Sequence, residues 1–401
     1  MIPTSPFALR RDKPRQSDSP DTGLTRRGLV VACITLVTLI DLVAYSIAVP
    51  VLPDYVRRFG ASPATIGLLF GSFGLTLLAV SIPIGAMSDR IGRKKPLVLA
   101  TVLLAISTTA FAYASSLTAL FAARLLQGVA DGVTWAVGFA LIADLYGPEE
   151  RGRMVGIVMA ASNLGVIVGP SFGGWLYELG GIRLPFLVVA AAAALTTVAF
   201  LLIRIPDCAA AGGVPMIRIL KHRAIVMCAV VAAAGSATYA MLEPVLPLVL
   251  DARFGLGPAR IGVMFAVAAI ASAILHPLYG RLSDRWGGRR LMLVGLVAGA
   301  LVLPIMNAPT DWVWMTVAMV IVFACFGLVV TPSLTYMAEA ASSTGVGSFG
   351  VVYGLYNVAW GIGLLIGPAI GGLMLQEVGF LSLTCGWALG LVLTAALASR
   401  A

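Results

Sequence analysis

Long apolar runs, separated by short polar stretches, follow one another along the chain from residue 29 onward. An α-helix of about 20 residues crosses the roughly 30 Å of hydrocarbon in a bilayer, and a lipid-exposed backbone must form helices or a closed barrel. The runs of sufficient length are 29–53, 65–84, 97–114, 118–143, 153–177, 184–203, 224–250, 260–280, 291–308, 312–338, 349–374 and 379–398. The pattern predicts an all-α membrane protein with twelve transmembrane helices.

Composition supports this prediction. Hydrophobic residues make up 59% of the chain and charged residues 11%, against about 25% charged in a soluble domain. The mean hydropathy is +0.98, and no water-soluble core could bury so much apolar surface in 401 residues. Residues 1–27 are polar, and we expect them to form a disordered tail. The five cysteines are scattered, which is typical of packing residues rather than of a metal or disulfide framework.

The net charge of +9 reports topology rather than an acidic partner such as nucleic acid. If the N-terminus is cytoplasmic, 21 of the 27 Lys and Arg residues lie in cytoplasmic tails and loops. This positive-inside bias predicts that both termini are cytoplasmic. The short loops and the absence of glycosylation acceptors favour the inner (plasma) membrane of a bacterial cell.

The chain repeats itself once. The matching segments are "YSIAVPVLPDYVRRFG" and "YAMLEPVLPLVLDARFG", from Tyr45 and Tyr239; "GAMSDRIGRKK" and "GRLSDRWGGRR", 85–95 and 280–290; and "GVIVGPSFGG" and "GLLIGPAIGG", 165–174 and 363–372. We therefore predict two pseudo-symmetric six-helix halves, 28–203 and 224–401, joined by a cytoplasmic linker, 204–223. Such halves are typical of transporters whose central site becomes accessible from each side in turn. A duplicated bundle that serves only as a scaffold is the alternative.

A dense group of charges lies between the second and third spans. Its candidate gating residues are Gly85, Asp89, Arg90, Gly92, Arg93 and Lys94. Charges this close can form ion pairs and cap helix ends in one conformation and release them in another. A basic loop that only sets topology is the alternative interpretation.

Four ionisable residues lie inside apolar runs, where a charge is costly and usually functional. Asp41 is near the middle of the first span, Glu243 is in the seventh, and Arg124 and Asp131 are in the fourth. Arg124 and Asp131 are seven residues apart, about 10.5 Å along a helix, so they share a face without forming a direct ion pair. We predict that these four residues couple proton movement to transport, with hydrogen-bonded structural roles as the alternative.

The fifth span carries glycines at three- and four-residue steps, namely Gly165, Gly169, Gly173 and Gly174, with Pro170 among them. Glycines at this spacing give a helix a smooth face on which a neighbour can pack, and the proline permits a bend.

Other residues are candidates for substrate contact. Aromatic rings can stack against a flat cation, and amides can hydrogen-bond to a substrate. Together with Asp41 and Glu243, the candidate substrate-binding residues are Tyr45, Trp135, Asn163, Tyr239, Tyr336, Tyr356, Asn357 and Trp360. Ordinary packing is the alternative for each ring.

These motifs resemble those of the major facilitator superfamily and, within it, the drug:proton antiporter family. The strings that carry the resemblance are "VPVLPDY", "RLLQG", "PEERGRMVGI", "GVIVGPSFGG", "MLEPVLP" and "YNVAWGIGLLIGPAIGG". The family includes bacterial multidrug exporters and vesicular monoamine and acetylcholine transporters. The resemblance implies that Asp41 binds amines and protons, that Arg124 takes part in proton coupling, and that the glycine motif marks exporters.

The resemblance also has departures. Where the vesicular transporters carry a Lys and two Asp residues, this chain has Phe73, Gly327 and Asn357, whereas Asp131 is an addition. A bacterial exporter is therefore expected rather than a neurotransmitter carrier.

The sequence thus predicts a monomeric secondary transporter that exports a lipophilic, cationic small molecule in exchange for protons. No G-x-x-x-x-G-K-[ST] loop is present, so a proton gradient rather than ATP is expected to drive it, without a cofactor or metal. The alternatives are a proton symporter that imports a metabolite or siderophore and a non-transporting membrane sensor. No nucleophile–base pair indicates an enzyme.

Overall fold

The computed structural model describes residues 20–205, 223–343 and 349–400. Most of the predicted linker and tail lies outside these ranges. The α-helices are α1 (Pro20–Ser46), α2 (Leu52–Phe59), α3 (Pro63–Ile91), α4 (Lys94–Tyr113), α5 (Leu117–Leu145), α6 (Pro148–Gly180), α7 (Arg183–Leu202), α8 (Arg223–Phe254), α9 (Pro258–Trp286), α10 (Gly288–Val302), α11 (Trp312–Ser343) and α12 (Phe349–Arg400).

The number of membrane crossings agrees with the sequence pattern. Eleven helical stretches in the described ranges are long and apolar enough to cross a membrane, the first of which joins α1 and α2. The last stretch contains Gly379 at φ 78° and ψ 174°, which interrupts α12 between the two predicted spans. Divided at Gly379, the described ranges contain twelve helical stretches of this kind, in agreement with the sequence pattern. Helix α1 begins at Pro20, inside the segment that the sequence assigned to the tail.

Local sequence signals explain where several helices begin and end. The Oγ atom of Ser62 accepts a hydrogen bond from the backbone N of Thr65 at 3.2 Å, which caps α3. Ser116 caps α5 in the same way through Ala119 N. Gly60 ends α2 with a φ of 61°, a left-handed conformation that favours glycine.

The helices alternate in direction, so the turns gather at two ends of the bundle. We call the end with the turns α3–α4, α5–α6 and α9–α10 the basic end, because it carries Arg90, Arg93 and Lys94 and their counterparts in the second half. The opposite end, with the turns α2–α3, α6–α7 and α8–α9 and with Gly379, is the far end. Helices α1–α7 form the first half and α8–α12 the second.

The two halves meet through α3 with α12 and through α6 with α9. These contacts lie in the far-end parts of the helices, where Gly67 faces the backbone of Gly372 and Gly174 faces the backbone of Pro258. Toward the basic end, Gly85 and Gly280 have open space where a side chain would extend. The halves are therefore in contact at the far end and diverge toward the basic end.

Candidate functional site

A cluster of polar side chains is buried at the centre of the bundle. Its members are exposed by 4% or less: Asp41 on α1, Arg124, Gln127 and Asp131 on α5, and Glu243 on α8. The three helices bring the four predicted ionisable residues together, although Asp41 and Glu243 are some two hundred positions apart in the chain.

The Arg124 guanidinium is surrounded by aromatic rings. Its carbon lies 4.2 Å from the ring centre of Phe70 and 4.7 Å from that of Tyr45, both within cation–π range. Its Nη1 donates to Gln127 Oε1 at 2.7 Å and to the Tyr45 carbonyl at 3.3 Å. Phe73 also faces it, 5.4 Å away, at the position where the resemblance places a lysine. The buried cation is thus held by ring faces and carbonyl oxygens rather than by an ion pair.

The hydroxyl of Tyr45 donates a hydrogen bond to the carboxylate of Glu243. This bond joins α1 of the first half to α8 of the second, and both side chains are buried. Trp360 of α12 packs against the same small cluster around Tyr45. The Glu that interrupts an apolar run therefore has a direct partner in the opposite half.

Asp41 and Asp131 are close enough to interact electrostatically. The indole Nε1 of Trp135 donates to Asp131 Oδ1 at 3.0 Å, and the carboxyl group of Asp131 is the hydrogen-bonding neighbour of Asp41, which has no other partner among the described residues. As the helical spacing predicts, no ion pair joins Arg124 to Asp131 in the described part of the chain.

The remaining predicted substrate contacts divide into two groups. Tyr356 stacks on Trp360 with a centroid distance of 6.1 Å, and Trp360 packs against the cluster around Tyr45. The ring of Tyr239 packs against Phe323, one turn from Glu243.

In the described part of the chain, three other predicted substrate-binding residues show no contact with the buried cluster. Tyr336 lies beside Gly288 at the basic end. Asn163 is exposed on α6, and Asn357 is half-buried on α12. Sequence cannot distinguish such positions from true lining residues, because the face of a helix depends on its neighbours.

Ion pairs hold the charged turn between α3 and α4 in place. Arg93, 8% exposed, pairs with Asp89 at 2.6 Å and with Asp144 at the basic end of α5 at 2.9 Å. Gly92 permits the turn with a φ of 84°. Arg90 is exposed. All these ion pairs lie within the first half, so in this conformation they do not hold the two halves together.

Lys94 connects this turn to the last helix of its half, since its Nζ donates to the carbonyls of Leu201 and Ile203 at 2.8 and 2.7 Å. The repeat places Arg289 at the equivalent position, and its Nη2 donates at 3.0 Å to the Ala398 carbonyl near the end of α12. Each half therefore uses the same cap, which supports the duplication inferred from the sequence.

The glycine motif has two separate packing roles. Gly165, Gly169 and Gly173 face α1, close to Leu39, Ser46 and Ile47, and this explains their regular spacing. The second half repeats this packing, since Gly363, Gly367 and Gly371 face α8.

The last glycine of each motif points elsewhere. Gly174 faces the start of α9, and Gly372 faces Gly67 on α3. The carbonyl of Pro170 lies against Gly262 of α9. The motif thus packs one helix inside its own half and another in the opposite half.

The architecture and the motifs agree with the comparisons with known proteins. The family model of the Major Facilitator Superfamily matches residues 34–349 and 225–400. The chain belongs to this superfamily.

Several relatives of this superfamily member are vesicular transporters. It is 30% identical over 386 residues to a probable vesicular acetylcholine transporter-B of Danio rerio, with 92% of this chain and 77% of the relative covered. It is 32% identical over 320 residues to the synaptic vesicular amine transporter of Rattus norvegicus, with 79% and 62% covered. The chain therefore spans less than two thirds of the length of that amine transporter.

Solved structures show the same fold. A bacterial homolog of the human lysosomal transporter Spinster, in an inward-facing and occupied conformation, has a TM-score of 0.77 at 19% identity, with 94% of this chain and 97% of that chain covered. The nucleoside transporter NupG has a TM-score of 0.74 at 14% identity, with 92% and 98% covered.

An ion pair that sequence reasoning missed joins the two halves of this superfamily member at the far end. Arg57 of α2 pairs with Asp251 of α8 at 2.6 Å and also with Asp54 of its own helix. Arg57 and Asp251 are 54% and 30% exposed, so solvent screens the attraction.

Two further residues were missed for different reasons. Gln127, the hydrogen-bond partner of Arg124, belongs to the "RLLQG" string, so the motif could have identified it. Asp144, which pairs with Arg93, is at the end of a span, where a charge is ordinary and gives no signal.

Proposed function

We propose that the protein is a proton-coupled antiporter that exports lipophilic cations. The observation that carries this proposal is the bond from Tyr45 to Glu243, because it places a proton-binding carboxylate in contact with the opposite half of the molecule. A proton that binds to Glu243 weakens a charge-assisted bond between the halves, and such bonds are about twice as strong as neutral ones. Proton binding and conformation are therefore coupled through one contact.

The excess of arginine and lysine at the basic end supports a cytoplasmic location for that end and for both termini. The arrangement described here then opens toward the cytoplasm and is closed toward the outside. A cation that enters from the cytoplasm meets Asp41 and Asp131 before it reaches Glu243, which lies closer to the far end.

In the proposed cycle, the cation binds between the ionised carboxylates and replaces the Tyr45 hydroxyl at Glu243, and the halves separate at the far end. Protons from outside then neutralise Asp41 and Glu243, and the cation leaves. Release of the protons into the cytoplasm restores the site. Arg124 and Asp131 influence which carboxylate holds the proton, since both act electrostatically on the cluster. The gradient supplies about 1.36 kcal/mol per pH unit and about 2.3 kcal/mol per charge and 100 mV.

The class of substrate is supported by two considerations. The buried cluster has three carboxyl groups against one guanidinium, so it favours a positive ligand. Two of the relatives are named as acetylcholine and amine transporters, whose named cargoes are cationic. We therefore propose a lipophilic amine or quaternary ammonium compound, including drugs of this type, in a monomeric protein of the bacterial inner membrane.

Proteoliposomes with an imposed pH gradient test this function. We expect ethidium to move against its gradient while an internal pH dye reports proton movement in the opposite direction. Glu243→Gln and Asp41→Asn should each uncouple the two fluxes, and Glu178→Gln, at the exposed far end of α6, is the matched control. Proton and substrate fluxes in the same direction would instead indicate a symporter.

A further inference from the structure

Asp41 and Asp131 lie at the same level along the bundle. Helices α1 and α5 run in opposite directions, and a side-chain carbon on Gly138 of α5 would lie 3.3 Å from Ile34 of α1. Seven residues toward the far end, about 10.5 Å along each helix, lead from Ile34 to Asp41 and from Gly138 to Asp131. The two carboxyl groups are therefore opposite one another on facing helices.

No basic side chain pairs with the two aspartates among the described residues. Asp41 is 1% exposed, its carboxyl group lies within hydrogen-bonding reach of that of Asp131, and Asp131 also receives a bond from Trp135. The charged groups that act on the pair are the two aspartates themselves and Arg124. Arg124 is already engaged by Gln127, by a backbone carbonyl and by ring faces. When both are ionised, the two carboxylates have no cation of their own.

Two aromatic side chains of α5 lie between the pair of aspartates and the basic end. Asp131, Trp135 and Phe139 follow one another at four-residue intervals on one face of α5, toward the basic end. The rings of Trp135 and Phe139 are half-buried, with centroids 5.2 Å apart. Aromatic faces attract organic cations. A cation that enters from the basic end can therefore pass along these rings to the paired carboxyl groups.

We propose that Asp41 and Asp131 together form a binding site for two positive charges, so that the protein binds dicationic organic ammonium compounds more tightly than monocations of the same ring system. This inference rests on the proposed function and deepens it, since Asp131 becomes a substrate contact as well as part of the proton machinery. A monocation leaves one carboxyl group of the pair protonated. A dication ionises both, and the second proton passes to the solvent.

Ethidium and propidium form a matched pair of probes, because both carry the same aromatic ring system and propidium has a second fixed ammonium charge. We would measure the Kd of each dye by fluorescence on the purified protein in detergent. In the wild type, propidium should bind about tenfold more tightly than ethidium, because its second ammonium group pairs with the second carboxylate; tenfold corresponds to about 1.4 kcal/mol. Asp131→Asn should abolish this ratio, and Asp131→Glu should restore most of it.

Three further measurements make the test specific. Glu178→Gln removes a carboxylate from the exposed surface and should leave the ratio unchanged. Asp41→Asn removes the other member of the pair and should lower the ratio in the same way, which keeps the test valid if Asp131→Asn does not fold. A pH dye in weak buffer should report one more proton released by propidium than by ethidium.

Equal affinities for the two dyes in the wild type, or an equal loss of both in Asp131→Asn, would overturn the inference. If ethidium transport still drives proton movement in proteoliposomes, only the two-charge site is wrong and the antiporter stands. If neither dye binds and no cation is moved, both proposals are wrong.

Discussion

Replacement of Tyr45 by Phe removes one hydroxyl group and leaves the ring, so it isolates the bond to Glu243 that joins the two halves. Both residues are buried, and the bond is present in this arrangement, in which the far end is closed. A hydrogen bond to a charged group has a net worth of about 1.5–3 kcal/mol. Its loss should shift the equilibrium from the far-closed to the far-open arrangement by about 10- to 100-fold.

Double electron–electron resonance can measure this shift. Spin labels at Glu178 and Glu377, exposed near the far ends of α6 and of the first part of α12, report the distance between the halves. The five native cysteines would be replaced first. We expect Tyr45→Phe to enlarge the long-distance population relative to the wild type, most clearly under conditions in which Glu243 is ionised.

Tyr239→Phe is the matched control. Tyr239 is the repeat equivalent of Tyr45, but its hydroxyl makes no hydrogen bond in the described part of the chain, and its ring packs on Phe323. The same truncation there should have a much smaller effect. Indistinguishable distance distributions for both variants and the wild type at every pH would refute the role of the Tyr45 hydroxyl in holding the halves together.

Three other perturbations have defined outcomes. Arg57→Gln removes the exposed far-end ion pair with Asp251 and should change the free-energy difference between the far-closed and far-open arrangements by about 1 kcal/mol or less, read from the same distance distribution. High salt should produce the same effect in the wild type. Gly372→Leu places a side chain against the backbone of Gly67, so we expect a far-open protein that still folds but does not transport. Arg93→Ala leaves the nearly buried carboxylate of Asp144 unpaired and should destabilise the protein by about 1–3 kcal/mol, measured by thermal unfolding in detergent. An unchanged Tm would contradict a stabilising role for these ion pairs.

The membrane spans could be predicted from the sequence because one physical constraint, the thickness of the hydrocarbon layer, sets the length of an apolar run at about 20 residues. The extension of α1 back to Pro20 could not be predicted in this way. That part of the helix is polar, and hydropathy does not detect a helix that continues into water. The break in α12 at Gly379 could be predicted, because a short polar stretch separates the last two apolar runs of the sequence.

The central carboxylates could be predicted because a charge in an apolar run is rare enough to be a signal. Their partners could not. The bond between Tyr45 and Glu243 connects positions 198 residues apart, and a tyrosine in a span is ordinary. Asp251 gave no signal for another reason: it lies near a helix end, where charged residues are common. Pairing is a property of the tertiary arrangement.

The contacts between the halves at the far end are made largely by glycines that face backbone, such as Gly67 against Gly372 and Gly174 against Pro258. Surfaces of this kind have no interlocking side chains to disengage and expose little apolar area when they part. Helix association through small residues in lipid is driven by close backbone packing rather than by a hydrophobic force. The halves can consequently part at the far end without unlocking side chains from one another, so we expect one side-chain contact, such as that of Tyr45 with Glu243, to have a large effect on the choice between the two conformations.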